Sequence, residues 1–157
     1  MVDDYEVETK VADAAWVAAA TLQRERPQAD FSVQEVWERA QQLGFKRPGV
    51  LQHIRQHDVA NKRPQPGSYR MLVETAPGRR RLFREGDPYD LRRKGKMVPS
   101  SEHLAAEWQD LLPWYAEWAQ RKPAMLDPLL ELWGTGREIW RAERADRYVE
   151  RMRGGWE

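Results

Sequence analysis

The sequence contains no cysteine among its 157 residues, so disulfides and thiolate metal sites are excluded. No apolar run approaches the ~20 residues that a transmembrane helix needs. The first ten residues, MVDDYEVETK, are acidic, whereas a secretory signal begins with basic residues. We therefore expect a cytoplasmic protein that does not associate with a membrane.

Net charge is also nearly absent, because 26 lysines and arginines oppose 25 acidic residues and leave +1. Residues 45–84, however, hold ten basic residues against only Asp58 and Glu74, a local formal charge of +8. The basic residues are Lys46, Arg47, Arg55, Lys62, Arg63, Arg70, Arg79, Arg80, Arg81 and Arg84. Such a concentration is typical of a phosphate-binding surface, although a solvated charged surface gives the same pattern.

Catalytic signatures are missing. The sequence has neither a Gly-x-Ser-x-Gly elbow nor a phosphate-cradling glycine loop. His53 and His57 are four residues apart, as in helical zinc sites, but only Asp58 stands nearby as a third ligand. We expect these histidines to face DNA or the interior, and we expect no enzyme activity, metal or cofactor.

Two helices are predicted before residue 44. The first spans about residues 8–25, where small and apolar side chains recur at spacings of three and four until Pro27 ends it. The second spans 33–43 and begins at an S-x-x-E capping box formed by Ser32 and Glu35. Gly44 follows, where a left-handed residue ends many helices.

A third helix is predicted directly after a short turn, with Pro48 in its first turn. Apolar residues such as Val50 and Ile54 face inward in this prediction. The exposed face then carries side chains suited to the major groove, namely Gln52, His53, Arg55, Gln56 and His57. Two helices joined by a tight glycine-containing turn form a helix-turn-helix.

A β-hairpin is predicted next. After a loop rich in proline and glycine, alternation with a period of two predicts a strand over residues 69–74. Ala76-Pro77-Gly78-Arg79 predicts a β-turn with proline and glycine at its centre. A returning strand over about residues 80–84 completes an arginine-rich hairpin.

The order helix, helix, turn, helix, hairpin over residues 8–85 resembles the winged-helix family of DNA-binding domains. The resemblance implies that the third helix enters the major groove of double-stranded DNA, and that the hairpin, or wing, contacts the backbone or minor groove. The implied DNA-binding residues are Lys46, Arg47, Gln52, His53, Arg55, Gln56, Lys62, Arg63, Arg79, Arg80 and Arg81. Some winged helices bind protein instead.

The second half of the chain is predicted to be helical. Residues 86–99 are polar and turn-rich, which predicts a linker. From Ser100 an apolar stripe rich in tryptophan predicts a helix that Pro113 kinks or splits. This stripe packs on the preceding domain or forms a homodimer interface. The predicted fold is α+β and mainly helical: a winged helix at 8–85 with a two-stranded hairpin, a linker at 86–99, and a helical C-terminal extension at 100–157.

The last 25 or so residues carry a second resemblance. The run GTGREIW at residues 134–140, followed by Tyr148, Val149 and a final Trp156, resembles the C-terminal tails of VapB-class antitoxins. The resemblance implies a tail that wraps a PIN-domain ribonuclease and places a basic side chain against its acidic metal site. The implied partner-binding residues are Trp140, Arg144, Tyr148, Arg151 and Trp156. The alternative is an amphipathic helix that folds back on its own domain.

Two functions therefore stay open. The first is a DNA-binding regulator that uses the third helix and the wing. The alternative is a protein-interaction module, an antitoxin-like inhibitor whose tail binds an acidic partner.

Overall fold

The computed structural model describes residues 8–65 and 67–121. These form an α+β fold that is mainly helical, as predicted. The helices are α1 (Val11–Glu25), α2 (Val33–Gln42), α3 (Pro48–Gln52), which continues into a π turn at His53–His57, and α4 (Leu111–Gln120); the strands are β1 (Phe31–Ser32), β2 (Leu72–Glu74) and β3 (Arg79–Leu82). The chain divides into Met1–Gln120 and Arg121–Glu157. The predicted partner-binding tail lies outside the described residues.

Helix α1 lies at the centre of the core. Every residue from Ala12 to Gln23 is buried, because α2, the third helix, β3 and α4 all contact this helix. The predicted first helix is confirmed, and its burial extends around the whole helix. A run of small alanine side chains lets neighbours approach α1 from all sides, so the helix needs no polar face.

Helix α2 begins and ends as its local sequence predicts. Ser32 Oγ accepts from the Glu35 amide at 3.0 Å, and Glu35 Oε2 accepts from the Ser32 amide at 2.8 Å. At the other end Gly44 has a φ of 93°. Its amide donates to Gln41 O, and the Phe45 amide donates to Ala40 O, which is the Schellman pattern. These bonds fix the turn that leads into α3.

The sheet has three antiparallel strands in the order β1-β3-β2. The predicted turn is confirmed, since the Arg79 amide donates to Ala76 O at 2.9 Å and Gly78 has a φ of 73°. The predicted two-stranded hairpin is present as β2 and β3, but the sheet has a further strand that was not predicted, because β1 pairs with the Arg79–Arg80 end of β3. Its two residues are too few to give a period-two signal.

Residues 86–99 are not a linker. Arg93 is 1% exposed, and Lys96 Nζ binds Asp13 of α1 at 2.8 Å. A Cβ atom at Gly95 would lie 2.6 Å from the Ser68 carbonyl oxygen, so the backbone packs directly on the loop before β2. Two of its charged side chains, Arg93 and Lys96, bind groups within the fold, which ties the segment to the domain.

Residues 100–120 complete the same core. Two 3₁₀ turns, Ser101–His103 and Ala106–Trp108, replace the helix predicted from Ser100. Pro113 lies in the first turn of α4, where it breaks no intrahelical hydrogen bond. The ring of Tyr115 meets Trp16 edge-on at 5.9 Å, and Trp118 Nε1 donates to Pro27 O at 2.7 Å. The aromatic stripe is therefore core, and the domain extends past the predicted boundary at residue 85 to Gln120.

No helix in the described part of the chain is long and apolar enough to cross a membrane.

Candidate nucleic-acid interface

The third helix, Pro48–His57, packs one side against α1 and turns the other to solvent. Val50 and Ile54 are fully buried. A Cβ atom on Gly49 would lie 3.3 Å from Val11 Cγ1, so the start of the third helix is in close contact with the start of α1. On the opposite side Gln52 and Arg55 are exposed.

Three basic side chains on this helix and its flanks remain available. Lys46, Arg55 and Arg63 are exposed, and none of the ion pairs found among residues 8–65 and 67–121 includes them. Gln56 Nε2 donates to Arg63 O at 2.6 Å, which holds the following loop beside the helix. We call the four exposed residues Lys46, Gln52, Arg55 and Arg63 the third-helix face.

The wing arginines are paired with acids from elsewhere in the chain. Arg79 Nη2 lies 2.7 Å from Asp30 Oδ1, and hydrogen bonds from Thr75 and Arg79 lower the pKa of Asp30. Arg81 binds both oxygens of Asp87, at 2.8 and 3.0 Å. The predicted arginine-rich tip is therefore largely neutralised.

Two further residues predicted to bind DNA are also paired. Arg47 Nη1 lies 3.2 Å from Glu8 Oε1, and Lys62 Nζ lies 3.4 Å from Glu74 Oε2. The Arg47 pair is exposed on both sides, so it is weak and can exchange for a phosphate. The Lys62 pair is less exposed than the Arg47 pair. Its acid, Glu74, also binds Arg80.

Arg80 does not reach the surface, and its prediction as a DNA contact is wrong. Side chains alternate across a strand, so Arg80 points to the interior between its neighbours and is 2% exposed. Its Nη1 donates to Glu74 Oε2 at 2.8 Å, its Nε to Ile54 O at 2.9 Å, and its Nη2 to Arg55 O at 3.2 Å. Burial lowers the pKa of Arg80, and Glu74 opposes that change.

The sequence suggested that Arg93 extends the basic surface, but Arg93 is buried and bonds to backbone carbonyls as Arg80 does. A guanidinium has five N–H groups, and all five donate to backbone carbonyls. The acceptors are Lys62, His57, Tyr69, Gln56 and Arg63. Nothing in the run Arg92-Arg93-Lys94 marks the middle residue as buried, so no local signal could have identified it.

Arg80 and Arg93 together satisfy the end of the third helix. The last carbonyls of a helix have no backbone partner within it and carry the negative end of its dipole. Here the carbonyls of residues 54 and 55 accept from Arg80, and those of residues 56 and 57 accept from Arg93. Two cations from distant parts of the chain thus hold this helix in place.

The histidines face inward rather than toward a ligand. His53 Nδ1 lies 2.7 Å from Asp58 Oδ1, and 13% of its side chain is exposed, so the predicted DNA contact of His53 stays a prediction. Asp58 is fully buried; burial raises its pKa to about 6, against the opposing effect of the His53 hydrogen bond. The His57 ring meets His53 edge-on at 4.8 Å, and burial lowers the pKa of His57. Within the described residues no group of three or more His, Cys, Asp or Glu could hold a metal ion.

No protein-family model matches the chain, and neither a curated protein nor a solved structure matches it. The geometry of the third helix is therefore the basis for a functional conclusion.

Proposed function

We propose that the protein binds double-stranded DNA, with the third helix in the major groove and the third-helix face as its contact surface. Lys46 and Arg63, which flank the helix, contact backbone phosphates. Gln52 and Arg55, which lie on it, contact base edges, since amide and guanidinium groups match adenine and guanine there.

The order of elements supports this proposal. The chain runs α1, β1, α2, third helix, β2, β3, and the last two strands form a hairpin beside β1. This order supports the resemblance to winged helices, in which the helix after the tight turn enters the groove. The capping bonds of α2 and the Gly44 turn fix the position of α2 relative to the third helix.

One observation carries the proposal: Lys46, Arg55 and Arg63 on the third helix and its flanks are exposed and form no ion pair among the described residues, and neither acid of residues 45–84 pairs with them. Within residues 45–84, Asp58 is buried, and Glu74 is paired with Arg80 and Lys62. Positive charge without a local counter-charge is what attracts a phosphate backbone. The wing, whose arginines are paired, contributes less to binding than the sequence suggests.

The test separates phosphate binding from base recognition. Duplexes are first selected from a random pool with the full chain, and binding is then measured by fluorescence anisotropy across salt concentrations. Replacing Lys46 and Arg63 by alanine is expected to weaken binding to selected and random duplexes by similar factors. The slope of log K against log salt should become shallower by about 0.9 for each phosphate that the variant no longer neutralises.

Replacing Gln52 and Arg55 by alanine is expected instead to reduce the preference for the selected duplex, with each bidentate contact contributing ~1–3 kcal/mol. The charge-matched control is Arg24→Ala with Arg26→Ala, since both arginines form exposed ion pairs outside the third helix. If Lys46→Ala with Arg63→Ala behaves like this control, or if the full chain binds no duplex at low salt, the proposal is wrong.

A further inference from the structure

At the end of the third helix, His53 and Asp58 are joined by two hydrogen bonds, one between their backbones and one between their side chains. The Asp58 amide donates to His53 O at 3.0 Å, a bond across five residues that defines a π turn. The side chains of the same residues meet as well, with His53 Nδ1 at 2.7 Å from Asp58 Oδ1. The backbone bond and the side-chain bond therefore both join residues five positions apart in the sequence.

An ordinary α turn at this place would break both bonds. At 3.6 residues per turn, residues five apart point about 140° away from each other, so the two side chains could not meet. In an α turn the Asp58 amide would donate to Ile54 O and would share that oxygen with Arg80 Nε, which donates to it at 2.9 Å. Arg80 and the His53–Asp58 pair thus favour the same π geometry.

The pair is enclosed by charged and titratable groups from four parts of the fold. Asp13 of α1 repels Asp58, while Lys96, from the segment after the sheet, binds Asp13 at 2.8 Å. Arg93 and His57 stand close, and the Tyr69 ring lies 6.2 Å from that of His53. Asp58 O accepts from the amides of Met71 and Leu72, which joins this end of the helix to β2. The His53–Asp58 pair is thus surrounded by groups from several elements of the fold.

We propose that His53 and Asp58 are positioning residues for DNA recognition, whose link holds the end of the third helix in π geometry. Gln52 is the last residue before the π turn and Arg55 lies within it. The turn therefore sets the angle between these two side chains, and with it the bases that both can reach. This inference rests on the proposed function.

The geometry is tested without DNA, on the full chain. The scalar coupling across the hydrogen bond between the nitrogen of residue 58 and the carbonyl carbon of residue 53 reports the π turn directly by NMR. Asp58→Asn keeps an acceptor for His53, so we expect it to keep this coupling. His53→Leu with Asp58→Leu removes the link and replaces a buried polar pair by apolar side chains, a change that a core often tolerates. In that variant the coupling should vanish or move to the carbonyl of residue 54.

A second variant covers the case in which the leucine pair does not fold. His53→Ala is measured at pH 5, because burial raises the pKa of Asp58 and the hydrogen bond that lowers it is absent from this variant, so that Asp58 is protonated and its burial is less costly. The same loss of coupling is expected.

The DNA measurement then asks whether geometry sets sequence preference. The leucine pair is expected to reduce the preference for the selected duplex by about tenfold, the effect expected of one base contact, while binding to random duplex is unchanged. Asp58→Asn, which keeps the acceptor for His53, should keep the preference within about twofold.

Persistence of the coupling between residues 58 and 53 in the leucine variant would overturn the inference, and so would loss of the coupling with unchanged preference. If the wild-type chain selects no duplex, the proposed function fails, and with it the role in recognition, whatever the coupling shows about the π turn.

Discussion

At the scale of single residues, the Asp58 carboxylate is a charge held in a core. One oxygen accepts from His53, while Asp58 Oδ2 is buried with no hydrogen-bond partner among the described residues. Burial raises the pKa of Asp58 from 3.8 to about 6, and the nearby Asp13 adds to the rise. Because the folded chain holds this proton more tightly than the unfolded chain, Asp58 contributes stability below about pH 4, and this contribution is lost as the pH rises through 6.

Asp58→Asn should therefore stabilise the protein at pH 8 by about 1–3 kcal/mol, because a pKa difference of two units corresponds to about that free energy. Near pH 4 the gain should disappear, because the wild-type carboxyl is then protonated. Urea unfolding at both pH values measures the difference. An equal gain at pH 4 and pH 8, or no gain at pH 8, would mean that the buried charge is not what the substitution relieves.

At the scale of elements, the third helix is held at its end by arginines from later in the chain, in addition to the local bonds between His53 and Asp58. The carbonyls of its last four residues accept from Arg80 and Arg93. Helix α2, by contrast, is ended by Gly44 within its own sequence. The orientation of the proposed recognition helix thus depends on residues that lie after it, in β3 and in the segment that follows the sheet.

Arg93→Ala should therefore cost about 3 kcal/mol of the free energy of unfolding, because five partly buried carbonyls lose the hydrogen bonds of one guanidinium at once. The neighbouring Arg92 is the matched control, since it is 59% exposed and binds only Asp90. Arg92→Ala should leave the urea midpoint unchanged. Equal effects of the two substitutions would show that the hydrogen bonds of Arg93 do not hold the helix.

The elements that the sequence predicted are those whose signals are local. The Ser32–Glu35 capping box, Gly44 and the Pro77–Gly78 turn each act within a few residues, and each is confirmed. Strand β1 and the π turn were missed because they depend on remote partners. β1 exists because Phe31 pairs with Arg80, and the π turn lies where Arg80 donates to the Ile54 carbonyl.

At the scale of the whole molecule, dependence on remote partners also explains why the basic stretch at residues 45–84 is less positive on the surface than its sequence suggests. Its density was plain in the sequence, and Lys46, Arg55 and Arg63 are exposed as the DNA hypothesis requires. The acids that bind several of the other cations come from outside it, among them Asp30 and Asp87. A local charge of +8 therefore overstates the positive surface, since sequence cannot show which distant carboxylates fold back onto it.

The last prediction concerns the extent of the domain. The winged-helix resemblance covers residues 8–85, whereas the core includes residues as far as Trp118. A chain ending at Glu85 would lack Arg93 and Lys96, and with them Leu104, Leu111, Tyr115 and Trp118 of the core. Each large apolar side chain removed from a core costs ~2–5 kcal/mol, and the four together reach the roughly 5–15 kcal/mol that stabilises a typical domain. We expect residues 1–85 to show poor dispersion of amide signals by NMR and no cooperative urea transition, whereas residues 1–121 show both dispersed signals and a cooperative transition. A folded 1–85 fragment would contradict this, because it would mean that residues 86–120 cover the core without being needed for it.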